Sequence, residues 1–431
     1  MRHHPIDSLL FKTNRERFIN KISESATAIL FSNDLYPRNG DQFFKFRQNS
    51  DLFYLTGIDQ EKTILLLSPD CPNQKLKEAL FIIKTNEKLA TWEGHKYTKE
   101  EAREISGIEN IFWVEDFEAS LREALSFTKT VFLNSNEYVK FFTDVPDKNH
   151  RFAIEFQNQY PLHKTERAAP ILTELRTIKS AEEIKLLQKA CDITQKGFER
   201  ILKFVKLGVH EFEIEAELDH EFTINRANGH GYAPIIASGK NACVLHYIDN
   251  HETCSDGDLL LMDFGAEYAN YTADMSRTIP INGKFSERQK ACYEAVLRVF
   301  KELRKLYVPG NTPDFINASA EKLMEAEMIK LSLFTADDVK NQDTGSPLFK
   351  KYFMHGVAHP IGLDVHDVGS KYAVLEAGMV FTCEPGLYIR EEKIGIRLEN
   401  DILITKNGPV DLMGNIPIEI DDIERLMKKP Q

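Results

Sequence analysis

Two pairs of carboxylates and a histidine-rich segment are the residues of this chain best suited to chemistry. Asp263 sits in the apolar run Leu260-Leu261-Met262-Asp263-Phe264, and Asp274 follows in Thr272-Ala273-Asp274-Met275. A buried carboxylate is costly unless it is paired, protonated or bound to metal. The two segments read as strands of one hairpin. Directly opposed residues of an antiparallel pair share a constant index sum, and for Asp263 and Asp274 the midpoint falls between Tyr268 and Ala269. The carboxylates would then share a face, with Cβ atoms about 5 Å apart. Glu384 and Glu399 repeat the pattern around the polar turn Arg390-Glu391-Glu392-Lys393. Like charges opposed on a sheet repel; a cation between them reverses the sign. Between the hairpins lie His355, His359 and His366, among Gly356, Pro360 and Gly362. The glycines and proline argue against a helix there. Four carboxylates and an imidazole could hold two divalent ions. Any single carboxylate could equally pair with Arg277, Arg390 or Arg397.

The elements that would carry these residues fall into two groups. Up to about residue 165, short apolar runs alternate with polar helical stretches. Ala28–Ser32, Leu52–Thr56, Thr63–Ser68, Ala79–Lys84 and Thr130–Asn134 read as strands, and Asn14–Glu24, Lys99–Glu104 and Asp116–Ser126 as helices. This alternation predicts an α/β amino-terminal domain over residues 1–170. An α+β domain is expected over 171–431. Its helices are announced by Ser180-Ala-Glu-Glu183 and Ser286-Glu-Arg-Gln289, both capping boxes, and by Thr312-Pro313. Another helix is expected from Glu211 to Asn228, stopping at Gly229.

Composition excludes several classes. Lys and Arg number 54 against 66 Asp and Glu, a net charge of −12, so no basic surface for nucleic acid is indicated. No apolar run reaches membrane-span length, and Arg2, His3, His4, Asp7 and Lys12 interrupt the amino terminus where a signal peptide would be apolar. Cys71, Cys191, Cys243, Cys254, Cys292 and Cys383 form no C-x-x-C pair and read as reduced core residues. A cytoplasmic enzyme without membrane contact is the expectation.

The segments MDFGAEY, YTADMSRT, HGVAHPIGLDVHD, EPGLYI and GIRLEND resemble those of the pita-bread metallopeptidases, and within them the aminopeptidase P (Xaa-Pro aminopeptidase) family. Phe46–Gly57 is similar to that family's amino-terminal domain. The resemblance spans nearly the whole chain. It implies metal ligands Asp263, Asp274, His359, Glu384 and Glu399, with Asp274 and Glu399 bridging two ions, Mn2+ by preference and Co2+ or Zn2+ as alternatives. It implies a metal-bridging hydroxide that attacks the bond before proline, with Glu384, His246 and His366 as catalytic residues. His246, His355, His366, Tyr388 and Arg397 match substrate-contacting positions. Pro360 departs from the family pattern, where a bulky residue usually follows the ligand histidine. The expected partners are peptides with proline second, and a second copy of the chain in a dimer or tetramer, through which Trp92 could reach a neighbouring site. A prolidase with the same ligands and a non-catalytic peptide-binding relative are the alternatives.

Overall fold

Six short strands of the first 170 residues pair into one sheet: β1 (Ala26–Phe31), β2 (Ile64–Leu67), β3 (Glu78–Ile82), β4 (Asn110–Trp113), β5 (Thr130–Leu133) and β6 (Lys164–Arg167), all but the last largely apolar. The computed structural model describes residues 3–141 and 143–428. The sheet order is β4-β3-β2-β1-β5-β6. β1 runs antiparallel to β2 and parallel to β5. Both β1 and β2 are buried along their whole length, which is why they read as continuous apolar runs rather than alternating ones. Phe31, Phe81, Phe117, Phe152 and Phe156 fill the core beside this sheet.

Two expectations need correction here. Leu52–Thr56 is not a strand but part of a helix, Ser50–Thr56. The Asn49 side chain accepts the N–H groups of Asp51 and Leu52, and Gly57 ends the helix at φ 67°. Leu52–Thr56 is buried at every position, so no helical period was visible. The first helix is Ser8–Ile19 rather than Asn14–Glu24, because Asp7 caps it by accepting the Leu9 N–H.

The chain divides into two compact units between Arg176 and Thr177. That division lies inside the last turn of helix Ala169–Thr177, whose second residue is Pro170.

In the second unit the capping boxes start helices where expected, at Ala181–Phe204 and Glu287–Arg304, and Thr312 caps Pro313–Lys330. Helix Glu211–Ile224 stops at Asn225, short of Gly229. The site strands are β7 (Ile235–Ser238), β8 (Leu259–Phe264), β9 (Ala266–Tyr268), β10 (Tyr271–Thr272), β11 (Met275–Pro280), β12 (Val380–Cys383), β13 (Gly386–Ile389), β14 (Ile394–Arg397) and β15 (Asn400–Thr405). β7, β8 and β11 form one sheet, with β8 central.

The first hairpin differs from its expected register. Asp263 faces Ser276, and Tyr268 faces Tyr271 around a turn at Ala269-Asn270, with φ 53° and 64°. The turn is therefore centred one residue later than expected. Two successive positive φ values match the twist of a tight hairpin. The same register sets Asp274 opposite Gly265. A displacement of two residues leaves a side chain on its original face, so Asp263 and Asp274 are diagonal neighbours on one face. The second hairpin has the expected register. Cys383 faces Asn400 and Gly386 faces Arg397, which sets Glu384 opposite Glu399.

The two hairpins are joined directly. Glu399 N–H donates to the Ser276 carbonyl at 3.1 Å, and Arg397 N–H to Thr278 Oγ1 at 3.2 Å. The histidine segment is irregular, as its glycines and Pro360 require. It is held to both hairpins, by Thr272 N–H to the Gly362 carbonyl and Thr382 N–H to the His359 carbonyl, each 2.9 Å. Among the described residues no helix is long and apolar enough to cross a membrane, and all six cysteines are buried and free.

Candidate metal centre

One donor atom from each of Asp274, His359 and Glu399 falls within a sphere of contact where every pair is within 4.8 Å. His359 Nε2 is 3.4 Å from Asp274 Oδ2 and 3.7 Å from Glu384 Oε1. His359 Nδ1 lies 3.1 Å from the Pro360 carbonyl, which can only accept, so the ring proton belongs on Nδ1. That leaves the Nε2 lone pair aimed at carboxylate oxygens. Acceptors that converge in this way call for a cation.

The acid–base state agrees. Asp274 is pushed well above the carboxylate range by burial and by the charges of Asp263 and Asp401. Glu399 is pushed up likewise, by burial and then by Asp274 and Glu384. A cation at this point would remove both penalties. The donors are oxygen-rich with a single imidazole, so the residues fit divalent metal.

Asp263 stands on the same face and is fixed on both oxygens. Arg397 Nη2 donates to Oδ2 at 2.5 Å, and the Tyr232 hydroxyl lies 2.7 Å from Oδ1. The same hydroxyl lies 2.5 Å from Asp274 Oδ1, so Tyr232 links the two aspartates. Ser276 Oγ donates to Glu399 Oε2 at 2.8 Å and accepts from Arg397 Nε at 2.8 Å. Tyr232 and Ser276 were missed in the sequence. Ser276 is the cross-strand partner of Asp263, so a correct hairpin register would have found it. Tyr232 had no comparable signal, because it precedes β7 in an irregular stretch.

Arg397 Nη1 donates to the Tyr388 hydroxyl at 3.0 Å, and that hydroxyl lies 2.8 Å from His355 Nε2. His355 Nδ1 is 2.8 Å from the Gly356 carbonyl. The carbonyl again places the proton on Nδ1, so Nε2 accepts from Tyr388. Burial, and then Arg397, push His355 down to about 4, so the ring is neutral at neutral pH. Gly386 makes room for this relay: a Cβ there would come within 2.6 Å of the Tyr388 hydroxyl oxygen.

His366 and His246 are exposed and Pro360 is partly so. His366 packs edge-to-face on the His359 ring with centroids 4.4 Å apart. His246 is exposed in a turn, near enough for its charge to act on His355. Pro360 pairs with Phe381 as an isolated bridge, and its carbonyl accepts the Asp367 N–H at 3.0 Å. Trp92 is far from buried: it is 82% exposed, on helix Glu87–Glu93 of the amino-terminal unit.

Comparison with known proteins points to a metallopeptidase. Residues 185–406 match the model of metallopeptidase family M24, and residues 11–132 that of the aminopeptidase P N-terminal domain. The chain is 34% identical to the Xaa-Pro aminopeptidase of Haemophilus influenzae, over 97% of this chain and 96% of that one. It superposes on the Pseudomonas aeruginosa aminopeptidase PepP with a TM-score of 0.89 at 28% identity, covering 98% of each chain. It superposes on Zn-substituted Escherichia coli aminopeptidase P in complex with product with a TM-score of 0.87 at 30% identity, covering 98% of this chain and 99% of that one. An α/β amino-terminal domain is followed by a pita-bread catalytic domain, and the chain belongs to metallopeptidase family M24.

Proposed function

We propose that this protein is a metallo-aminopeptidase that hydrolyses the bond between an N-terminal residue and a following proline. The observation that carries the reading is the convergence of His359 and the carboxylates on one point, with no lysine or arginine ion-paired to Asp274 or Glu399 among the described residues. Asp263, with Asp274 and Glu399, would hold one ion; His359 and Glu384, with the same shared pair, would hold the other. Mn2+ is our assignment, with Co2+ and Zn2+ as the alternatives.

Divalent ions at such a site lower the pKa of water and polarise a carbonyl oxygen. The chain's own residues do the rest. Glu384 faces both His359 and His355, at 3.7 Å from each, and would carry the water proton to the leaving nitrogen. His246 and His366, both exposed, would donate to the developing oxyanion. The leaving proline nitrogen has no N–H and its ring fixes φ, so a shaped apolar wall suits it better than a donor. His355 and Tyr388, locked by Arg397, offer such a wall.

The substrates are then peptides with proline at the second position. We place the protein in the cytoplasm, as a homo-oligomer, and propose that residues 1–170 form the amino-terminal domain and residues 171–431 the catalytic one. Comparing turnover of Xaa-Pro-Xaa′ tripeptides with Xaa-Pro dipeptides tests the function. Faster tripeptide cleavage is expected; cleavage of dipeptides alone would make the protein a prolidase.

A further inference from the structure

Thr382 and Asp401 face each other across the β12–β15 ladder, so their side chains share one face of the sheet. Both are fully buried. Thr382 Oγ1 accepts the backbone N–H of His359 at 3.2 Å. Asp401 Oδ2 accepts the backbone N–H of Asp274 at 3.2 Å and the thiol of Cys191 at 3.5 Å. Asp401 Oδ1, equally buried, has no hydrogen-bond partner among the described residues. A carboxylate this far from water, with only neutral hydrogen-bond donors on one oxygen and none on the other, is an expensive choice for a strand interior. A small apolar residue would pack there at lower cost. What sets the pair apart is what each member holds: one the backbone of Asp274, the other the backbone of His359. Those two residues come from different segments, and their side chains meet at 3.4 Å.

We propose that Thr382 and Asp401 form a positioning pair for the metal centre, which fixes the separation of Asp274 and His359 through their backbone N–H groups. This rests on the metal reading above. Neither residue touches the ions in this account; each acts through a ligand. Outer groups that orient ligands commonly change metal affinity by about tenfold to a hundredfold.

The test uses the full chain, stripped with a chelator and titrated with Mn2+ against a competing indicator. Asp401→Ala and Thr382→Val should each weaken Mn2+ binding by about tenfold to a hundredfold, with the metal-free protein still folded by circular dichroism. Asp401→Asn keeps an acceptor oxygen, and Thr382→Ser keeps the hydroxyl; each should recover most of the affinity. A purely structural role would lower the melting temperature of the metal-free protein and leave the Mn2+ affinity of the folded fraction unchanged, which overturns the proposal. So would an Asn variant as weak as the Ala variant. If Asp401→Ala does not fold, the Val and Ser variants of Thr382 carry the same comparison. A wild-type chain that binds no Mn2+ overturns the metal reading itself, a result distinct from equal binding by wild type and variants.

Discussion

Arg397 and Asp263 form an ion pair of 2.5 Å in which the arginine side chain is only 5% exposed. Three nitrogens of the guanidinium are spent on three different groups: Nη2 on Asp263, Nη1 on Tyr388 and Nε on Ser276. A lysine keeps the charge but not this fork. Arg397→Lys should therefore leave a folded protein with a large loss in kcat/KM, because it releases Tyr388 and Ser276 together. Arg397→Ala should cost about 3–5 kcal/mol of stability, since it leaves a buried carboxylate unpaired. Urea unfolding and steady-state kinetics of the two variants check both statements, and a fully active lysine variant would remove Arg397 from the site.

Gly265 holds the register of the first hairpin. A Cβ at this position would lie 1.6 Å from the Ala273 carbonyl oxygen, which is backbone and cannot swing away. Gly265→Ala must push the two strands apart beside Asp274. The expected result is a destabilisation of about 1–3 kcal/mol together with weaker metal binding, read by urea unfolding and by Mn2+ titration. A variant with wild-type stability would show that the strands pass each other differently.

The site was legible in the sequence to different depths at different residues. Glu384 and Glu399 could be paired by index sum alone, because the polar turn at Arg390–Lys393 is conspicuous and the register runs unbroken through both ladders. Asp263 and Asp274 were paired on the correct face but two residues out of register, because Ala269-Asn270 is a weak turn signal compared with a glycine-containing pair. The four candidate carboxylates lie on strands or next to them, where period and polarity conflict visibly with the apolar surroundings. Tyr232 and Thr382 carry no such conflict, and Asp401 carries one without showing what it holds: their roles are made by contacts between residues far apart in the chain. The same limit applies to helix Ser50–Thr56, whose residues are buried all round except for Asp51, which hides its period.

Ions held at the proposed centre should make stability depend on metal. Glu399 is 1% exposed and stands among Asp274, Glu384 and Asp263. In the metal-free chain its charge is a liability. Glu399→Gln should raise the melting temperature of the metal-free protein and abolish the further rise that Mn2+ gives to wild type, since ligand binding to the native state stabilises by mass action. Thermal melts with and without Mn2+, on both proteins, provide the check. A wild-type melt indifferent to Mn2+ would argue against any ion at this point. Metal analysis of active wild-type protein should return two ions per chain; one or none would overturn the dinuclear assignment.

His355 gives the protein a component of stability with a defined pH window. Its ring is held neutral by burial and by Arg397, and is pushed down to about 4 from an ordinary 6.5. Unfolding restores the ordinary value, so between those limits the unfolded chain binds one proton more than the folded one. Stability then rises with pH across the window. The contribution is fully present above about pH 6.5, falls as the pH drops, and is gone below about pH 4. Its steepest slope is about 1.4 kcal/mol per pH unit. His355→Gln keeps an acceptor for Tyr388 and lacks the titration. The difference in unfolding free energy between wild type and this variant should be flat above pH 7 and should shift against wild type as the pH falls towards 4. Urea unfolding at unit pH steps on metal-free protein measures it. A difference independent of pH would mean that His355 carries the same proton in both states, and with it the relay from Arg397 through Tyr388 would lose its acceptor.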